Sequence, residues 1–266
     1  GIEIKGSQQA GKLIAEVCMG GLGVINIEKT NTFPNWPLET KVESKHPVIS
    51  CLGSQYAGWN LSHEKFYALA SGPGRAIARR EELFKELQYV DQSKFVYLVM
   101  EVDKIPPKEI IEKISNDCKT ATKNIILILT PTQSISGIIQ IVSRVSEVGL
   151  HKLHTLKFPL ENVKEVYGSA PIPPVSSDFI TSMGRTNDAI LYGGNVELKV
   201  KGTDKQISNL TKNLPSTSSK DYGKPFAEIF NSYKGDFYSI DPNLFSPGKV
   251  TVTSLETGKT FTEGKL

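Results

Sequence analysis

Cysteine is scarce in this chain: 3 in 266 residues, at Cys18, Cys51 and Cys118. An odd number of distant thiols, with no metal-type spacing, fits a reducing compartment with buried thiols better than a disulfide framework. Histidine is scarce too, with only 4. His46, His63, His151 and His154 make no zinc or triad pattern, so no metal site is expected. Long hydrophobic runs are absent. Stretches such as IILIL at 125–129 fall far short of the roughly 20 residues a membrane-spanning helix needs, and no signal-peptide pattern is seen, so no membrane partner is expected. Charge of one sign is lacking as well. Lys plus Arg number 31 against 28 Asp plus Glu, a net +3 spread along the chain, and no nucleic-acid-binding motif accompanies it. A nucleic-acid partner is therefore not indicated, whereas an anionic small molecule is compatible.

Core-forming material is plentiful, at 39% hydrophobic and 22% charged residues. The middle of the chain alternates: strand 95–100, helix 107–118, strand 125–129, helix 134–150 and a short strand 163–167. That spacing predicts parallel βαβ crossovers. The flanks carry short β-rich runs instead: GIEIKG, KLIAEV, LGVINIEK and HPVISCL before residue 55, then AILYGG, VELKV, KVTVTSL and KTFTEG after 188. Antiparallel pairing suits them. The expected class is thus α/β with α+β character in the flanks, in two domains. Residues 1–92 plus 171–266 form a discontinuous β-rich unit, residues 93–170 an inserted α/β unit, and a pocket lies between them. The patch LPSTSSKD at 214–221 reads as a loop.

The stretch QIVSRVSEVG at 140–149 sets charge into an apolar run. At about 100° per residue, Ile138, Ile141, Val142, Val145 and Val148 share one side of a helix, and Ser136, Gln140, Ser143, Arg144 and Glu147 the other. Arg144 and Glu147 are spaced to form an i,i+3 ion pair. On a solvated surface such a pair is worth only about 0.2–0.5 kcal/mol, but a solvated face usually carries several Lys and Glu. Small uncharged groups around one charge pair suit a face closed over by a ligand or another domain. Elsewhere Ser71-Gly72-Pro73 precedes a helix with Arg75 beside it, a possible anion cradle or an ordinary cap. TPTQSISG at 130–137 leaves a buried strand at its carboxyl end, where open α/β sheets bind ligands, and offers Thr132 and Ser134. SMGRTNDAILYGG at 182–194 gathers Arg185, Asn187 and Asp188, readable as a turn before a strand or as donors and acceptors for a fused heterocycle. Lys224 and Pro225 stand at a helix start.

These blocks occur in a particular order: EVCMGGL, HP, CLGSQYAGW, SGPGRA, PTQSISG, RVSE, MGRTNDAILYGG, DYGKPF and DFYSIDPNLFSPG. In that order, over almost the whole chain, the sequence resembles the methenyltetrahydromethanopterin cyclohydrolases. Gly74 stands where that family commonly has alanine, and Lys45 where it often has aspartate. Family members usually extend further at both ends, so terminal segments of the pocket or assembly are expected to lie outside this chain.

The resemblance implies a cytoplasmic homotrimer of one-carbon metabolism, including methanogenesis, with a small-molecule pterin as substrate and no cofactor. It implies that Arg144 and Glu147 carry catalysis. Ser71, Arg75, Thr132, Ser134, Gln140, Arg185, Asn187, Asp188 and Lys224 are the substrate-binding candidates, with Arg75, Arg185 and Lys224 for an anionic tail. The alternatives are a non-catalytic pterin- or phosphate-binding protein on the same scaffold, and another α/β enzyme acting on a phosphorylated metabolite.

Overall fold

Two β-sheets organise the residues that the structure, a computed structural model, describes: 2–33 and 35–266. The larger is six-stranded, in the order β1 (Val24–Phe33), β2 (Trp36–Ser44), β7 (Val163–Pro171), β8 (Asn195–Val200), β9 (Lys249–Ser254) and β10 (Thr260–Gly264). Its pairs are antiparallel except β8 with β9. The smaller runs β3 (Trp59–His63), β4 (Phe66–Ser71), β5 (Val96–Met100) and β6 (Ile125–Leu129), parallel only between β5 and β6. The chain is therefore mixed α/β, and the crossover from β5 through α4 (Lys108–Asp117) to β6 is the βαβ unit the spacing predicts.

Sheet membership does not follow the expected 93–170 limits. Ala70 and Ser71 of β4 pair with Met100 and Val99, which draws the β3–β4 hairpin into the smaller sheet. Strand β7 leaves that unit and lies between β2 and β8. Hydrogen-bond partners on both sides, together with the buried Val163, Val166, Gly168 and Ala170, hold it there. The two helices between β6 and β7 thus carry the chain from one sheet to the other.

Several β-rich runs are helical. KLIAEV belongs to α1 (Gln8–Cys18), which Ser7 caps by accepting the Ala10 amide at 3.0 Å. Its buried Gly11, Ala15 and Cys18 recur at helical spacing, and a Cβ on Gly11 would lie 2.7 Å from Ile139, so glycine permits this approach to α5 (Ile135–Val142). HPVISCL becomes a π-helical segment, Val48–Gln55. AILYGG closes α7 (Phe179–Leu191), where Asp178 caps the Thr181 amide and overrides the expected turn and strand. GIEIKG makes no strand over residues 2–6, and Gly1 lies outside the described residues. The main core joins α1, α5 and α6 (Val145–Thr155) to the larger sheet through Ala15, Ile139, Val142, Val145, Val166 and Val196. A second core packs Ile110 and Ile114 of α4 on Leu61, Leu98 and Met100.

The π-helical segment is held by a buried cation. Arg75, in the short helix α2 (Gly74–Ala78), is fully buried. It donates to the carbonyls of Leu52 at 3.0 Å and Ser54 at 3.1 Å, and its Nε and Nη2 meet both oxygens of Glu81, at 2.9 and 2.5 Å. The Tyr56 and Phe84 rings lie 5.2 and 5.4 Å from the guanidinium. Geometry of this kind suits arginine and not lysine. Replacing Arg75 by Ala leaves Glu81 without its bidentate partner and two carbonyls without a donor. Urea unfolding is expected to show a loss of about 3–5 kcal/mol, against about 0.5 kcal/mol or less for Lys224→Ala at the surface.

Candidate functional site

Instead of one helix over 134–150, the chain forms α5 and α6, broken at Ser143 and Arg144. Two contacts account for the break. The Ser143 hydroxyl donates back to the Ile139 carbonyl at 2.7 Å, and the Gln55 side-chain amide donates to the Ser143 carbonyl at 3.0 Å. Such insertions into the helical ladder bend or interrupt it. The face carrying Ser136, Gln140, Ser143 and Glu147 is buried, so the solvated-surface reading does not hold.

At the break the Arg144 guanidinium turns towards the smaller sheet. It donates to the Gln55 carbonyl, to Ser71 Oγ at 3.0 Å and to Gln140 Oε1 at 2.9 Å, with Cys18 Sγ at 3.9 Å. The expected ion pair with Glu147 is not formed among the described residues, because these acceptors already orient the guanidinium. Its influence on Glu147 is through space.

Glu147 sits in the first turn of α6 and is only 6% exposed. Its carboxylate has no hydrogen-bond or ion-pair partner among the described residues. Burial raises its pKa to about 7, while the positive charges of Arg144 and then Arg75 pull the other way. It lines a cavity of about 390 Å³ with Tyr56, His151, Phe237, Tyr238 and Phe245. His151 lies one turn beyond Glu147 and stacks on Tyr56, the ring centroids 5.0 Å apart; burial and then His154 lower its pKa. The aromatic wall is pinned by Lys152, whose ammonium donates to Asn243 Oδ1 at 2.6 Å, and is joined to the smaller sheet where the Tyr238 and Tyr67 hydroxyls meet at 3.4 Å.

A larger cavity, about 720 Å³, opens at the carboxyl ends of β5 and β6. Thr132 and Glu101 lie on its wall, and the Thr132 hydroxyl donates to Glu101 Oε1. Glu101 is exposed, open to the cleft. Desolvation raises its pKa, opposed by the Thr132 hydrogen bond and then by Arg144.

The remaining candidates divide by their partners. Ser71 and Gln140 are fully buried in the Arg144 network, and Gln140 Nε2 has no hydrogen-bond partner there. Ser134 caps α5, accepting the Gly137 amide at 2.9 Å. Arg75 is buried with its guanidinium engaged by Glu81 and two carbonyls, and the Gly72 amide of the expected cradle donates to the Ser54 carbonyl at 2.8 Å. Asn187 donates to the Met183 carbonyl at 2.9 Å, and Asp188 Oδ1 accepts the Phe226 amide at 2.8 Å, opening α9 (Phe226–Ser232). Burial raises the Asp188 pKa to about 6. Arg185 donates to the Pro174 carbonyl at 3.1 Å, and Lys224 is exposed. The reading from sequence did not pick out Glu101, Gln55, Tyr56, Cys18 or the aromatic wall. Glu101 carried a signal as the residue leaving the carboxyl end of a predicted buried strand, and the others lie within the motif blocks EVCMGGL, CLGSQYAGW and DFYSIDPNLFSPG.

The family described as Cyclohydrolase (MCH) matches residues 1–266. A relative from Methylobacillus flagellatus, named methenyltetrahydromethanopterin cyclohydrolase, is 58% identical over 266 residues, covering 100% of this chain and 81% of its own length. Relatives of the same name from Xanthobacter autotrophicus and Methylosinus trichosporium are 52% identical over 99% of this chain and 78% of their own, and 49% over 94% and 96%. With the match running through every element that builds the site, the chain belongs to the cyclohydrolase (MCH) family.

Proposed function

We propose that this chain catalyses the reversible hydrolysis of methenyl-tetrahydromethanopterin, or a close pterin variant, to the formyl compound. The observation that carries this reading is a single unpaired carboxylate, Glu147, whose pKa of about 7 matches a base at neutral pH, facing a cavity within the field of Arg144 in a member of the cyclohydrolase family. The substrate's one-carbon unit joins two nitrogens in an amidinium cation that is already electrophilic. Hydrolysis then requires a placed water and a proton acceptor, so no cofactor is invoked. Glu147 takes a proton from the water as its oxygen bonds to the bridging carbon. The adduct collapses when its hydroxyl proton leaves to solvent and the bond to the arylamine nitrogen breaks. That nitrogen receives the proton held by Glu147, the formyl group stays on the pterin-side nitrogen, and one proton is released per turnover.

Arg144 keeps Glu147 ionisable near neutrality without hydrogen-bonding to it, and Ser71, Gln55 and Gln140 hold the guanidinium in place. Thr132 is the proposed substrate contact from the larger cavity, and Arg185 and Lys224 remain the proposed contacts for an anionic tail. From the resemblance alone, the reading extends to a cytoplasmic homotrimer. Relatives from Methylobacillus, Xanthobacter and Methylosinus favour one-carbon metabolism of the methylotrophic kind over methanogenesis. The direct test is an ultraviolet assay with purified methenyl substrate. Loss of the amidinium chromophore is expected, and a stable spectrum with active enzyme concentrations would refute the assignment.

Glu147→Gln keeps the shape but removes the base, so turnover is expected to fall by roughly 10²–10⁴ with the Michaelis constant little changed. The wild-type kcat/KM should rise as pH passes through about 7, where the free enzyme loses the Glu147 proton. Removing the Arg144 charge takes away the largest influence holding that pKa down, so in Arg144→Ala this limb moves to higher pH. Arg144→Lys should move it less. The cationic substrate partly replaces the lost charge, so the shift in kcat is expected to be smaller than in kcat/KM.

Stability supplies an independent check. Glu147 is raised from 4.5 to about 7, so the stability its protonated form contributes is complete below about pH 4.5 and is lost as pH rises through 7. Thermal melts should show Glu147→Gln more stable than wild type at pH 8, by about 1–3 kcal/mol, with the difference closing as pH falls towards 4.5. Equal melting curves at all pH values would mean that Glu147 is not desolvated.

A further inference from the structure

Glu101 has no part in the proton transfers above, yet it is placed to serve the same substrate. It follows β5 directly, and Thr132 follows β6, so the pair marks the carboxyl ends of the two adjacent parallel strands. Crevices at that edge are where open α/β sheets receive ligands. Thr132 donates to Oε1, while Oε2 has no hydrogen-bond partner among the described residues. The side chain is exposed to the larger cavity.

Glu101 is also tied to the reaction centre. Ser71 Oγ accepts from Arg144 at 3.0 Å and lies 3.3 Å from the carbonyl of Val99, two residues before Glu101 on the same strand end. Glu147 lies three residues beyond Arg144 on α6. The Arg144 charge acts on both carboxylates, and with both ionised the three groups leave one negative charge, the complement of the substrate's amidinium cation. Other carboxylates on the cavity wall are less suited: Glu64 lies in the β3–β4 turn, Asp103 in a bend two residues further from the end of β5, and Glu109 faces His63 at 3.9 Å.

We propose that Glu101 recognises the amino-pyrimidinone edge of the pterin, its carboxylate accepting the ring N–H and the adjacent exocyclic amino group, while Glu147 faces the methenyl bridge. The inference rests on the cyclohydrolase reading and deepens it. A pterin presents these two donors side by side, and a carboxylate, an acceptor on both oxygens, is their matching partner. Asn187 and Asp188, the sequence's candidates for this edge, are engaged with Met183 and Phe226. Glu101 is thus a specificity-determining residue that makes no bond to the reacting carbon.

The test uses the full chain with Glu101→Gln and Glu101→Ala. Glu101→Gln keeps an acceptor for Thr132 but turns an amide N–H₂ towards the pterin's donors, and thermal melts matching wild type would show that the fold is kept. Steady-state kinetics with the methenyl substrate should show KM raised about 10–100-fold with kcat within about threefold. A tetrahydropterin without the aryl tail, measured as a competitive inhibitor, should weaken by a similar factor. Its analogue lacking the 2-amino group, which keeps only the ring N–H, should lose clearly less affinity in Glu101→Gln than the parent pterin does. A fall in kcat at constant KM would assign Glu101 to proton transfer and overturn the proposal. So would an unchanged KM, or an equal loss of affinity for the deamino analogue. If wild type fails to hydrolyse the methenyl substrate, the cyclohydrolase reading falls by itself. Binding of the tail-less pterin, followed by intrinsic fluorescence, then decides Glu101 separately: Glu101-dependent binding that requires the 2-amino group supports the inference, and binding indifferent to Glu101 overturns it.

Discussion

The Arg144 guanidinium ties together the pieces that make this site. It stands at the break between two helices, receives acceptors from the π-helical segment (Gln55), from β4 (Ser71) and from α5 (Gln140), and acts through space on Glu147. Because those acceptors fix the guanidinium, its field at Glu147 comes without a direct bond that would occupy the carboxylate. A buried ion pair would have held Glu147 as a low-pKa partner of arginine; a cation at a distance leaves it free to exchange protons near neutral pH.

Glu147 illustrates the tension between stability and chemistry. A carboxylate buried without a hydrogen-bond partner is unfavourable when charged, and the fold tolerates it because the neighbouring structure is over-determined. Arg75 clamps the π-helical segment from one side, and Lys152 pins the aromatic wall through Asn243 from the other. Both cations stabilise irregular backbone whose carbonyls would otherwise lack donors.

How much of this was legible in the sequence depended on the range of the interaction. Strand 125–129, the helix after Pro107, the helix start at Pro225 and the strands in VELKV and KVTVTSL were readable from local periodicity and caps. The polar side of the Arg144 stretch, with its serines and glutamine, already pointed to a covered face. Runs such as KLIAEV were misread because an apolar segment of that length suits a strand or a helix equally, and only packing of Gly11 against Ile139 decides. Arg75 looked like an anion ligand because glycine and proline beside an arginine mark a turn whatever the turn encloses.

By itself, then, the sequence determined the α/β character, the ordered motifs that mark a cyclohydrolase, and the nearness of Arg144 to Glu147 on a covered face. Those follow from composition, short-range pattern and the identity of residues a few positions apart. Tertiary structure alone decided which sheet β7 joins, that Arg144 turns away from Glu147, and that Glu101 meets Thr132 at the ends of β5 and β6. Each of these depends on hydrogen-bond partners distant in sequence: Gln55 and Ser71 for Arg144, β2 and β8 for β7, Thr132 for Glu101. A local pattern shows that a donor or acceptor must be satisfied, whereas the folded arrangement of the whole chain selects the group that satisfies it.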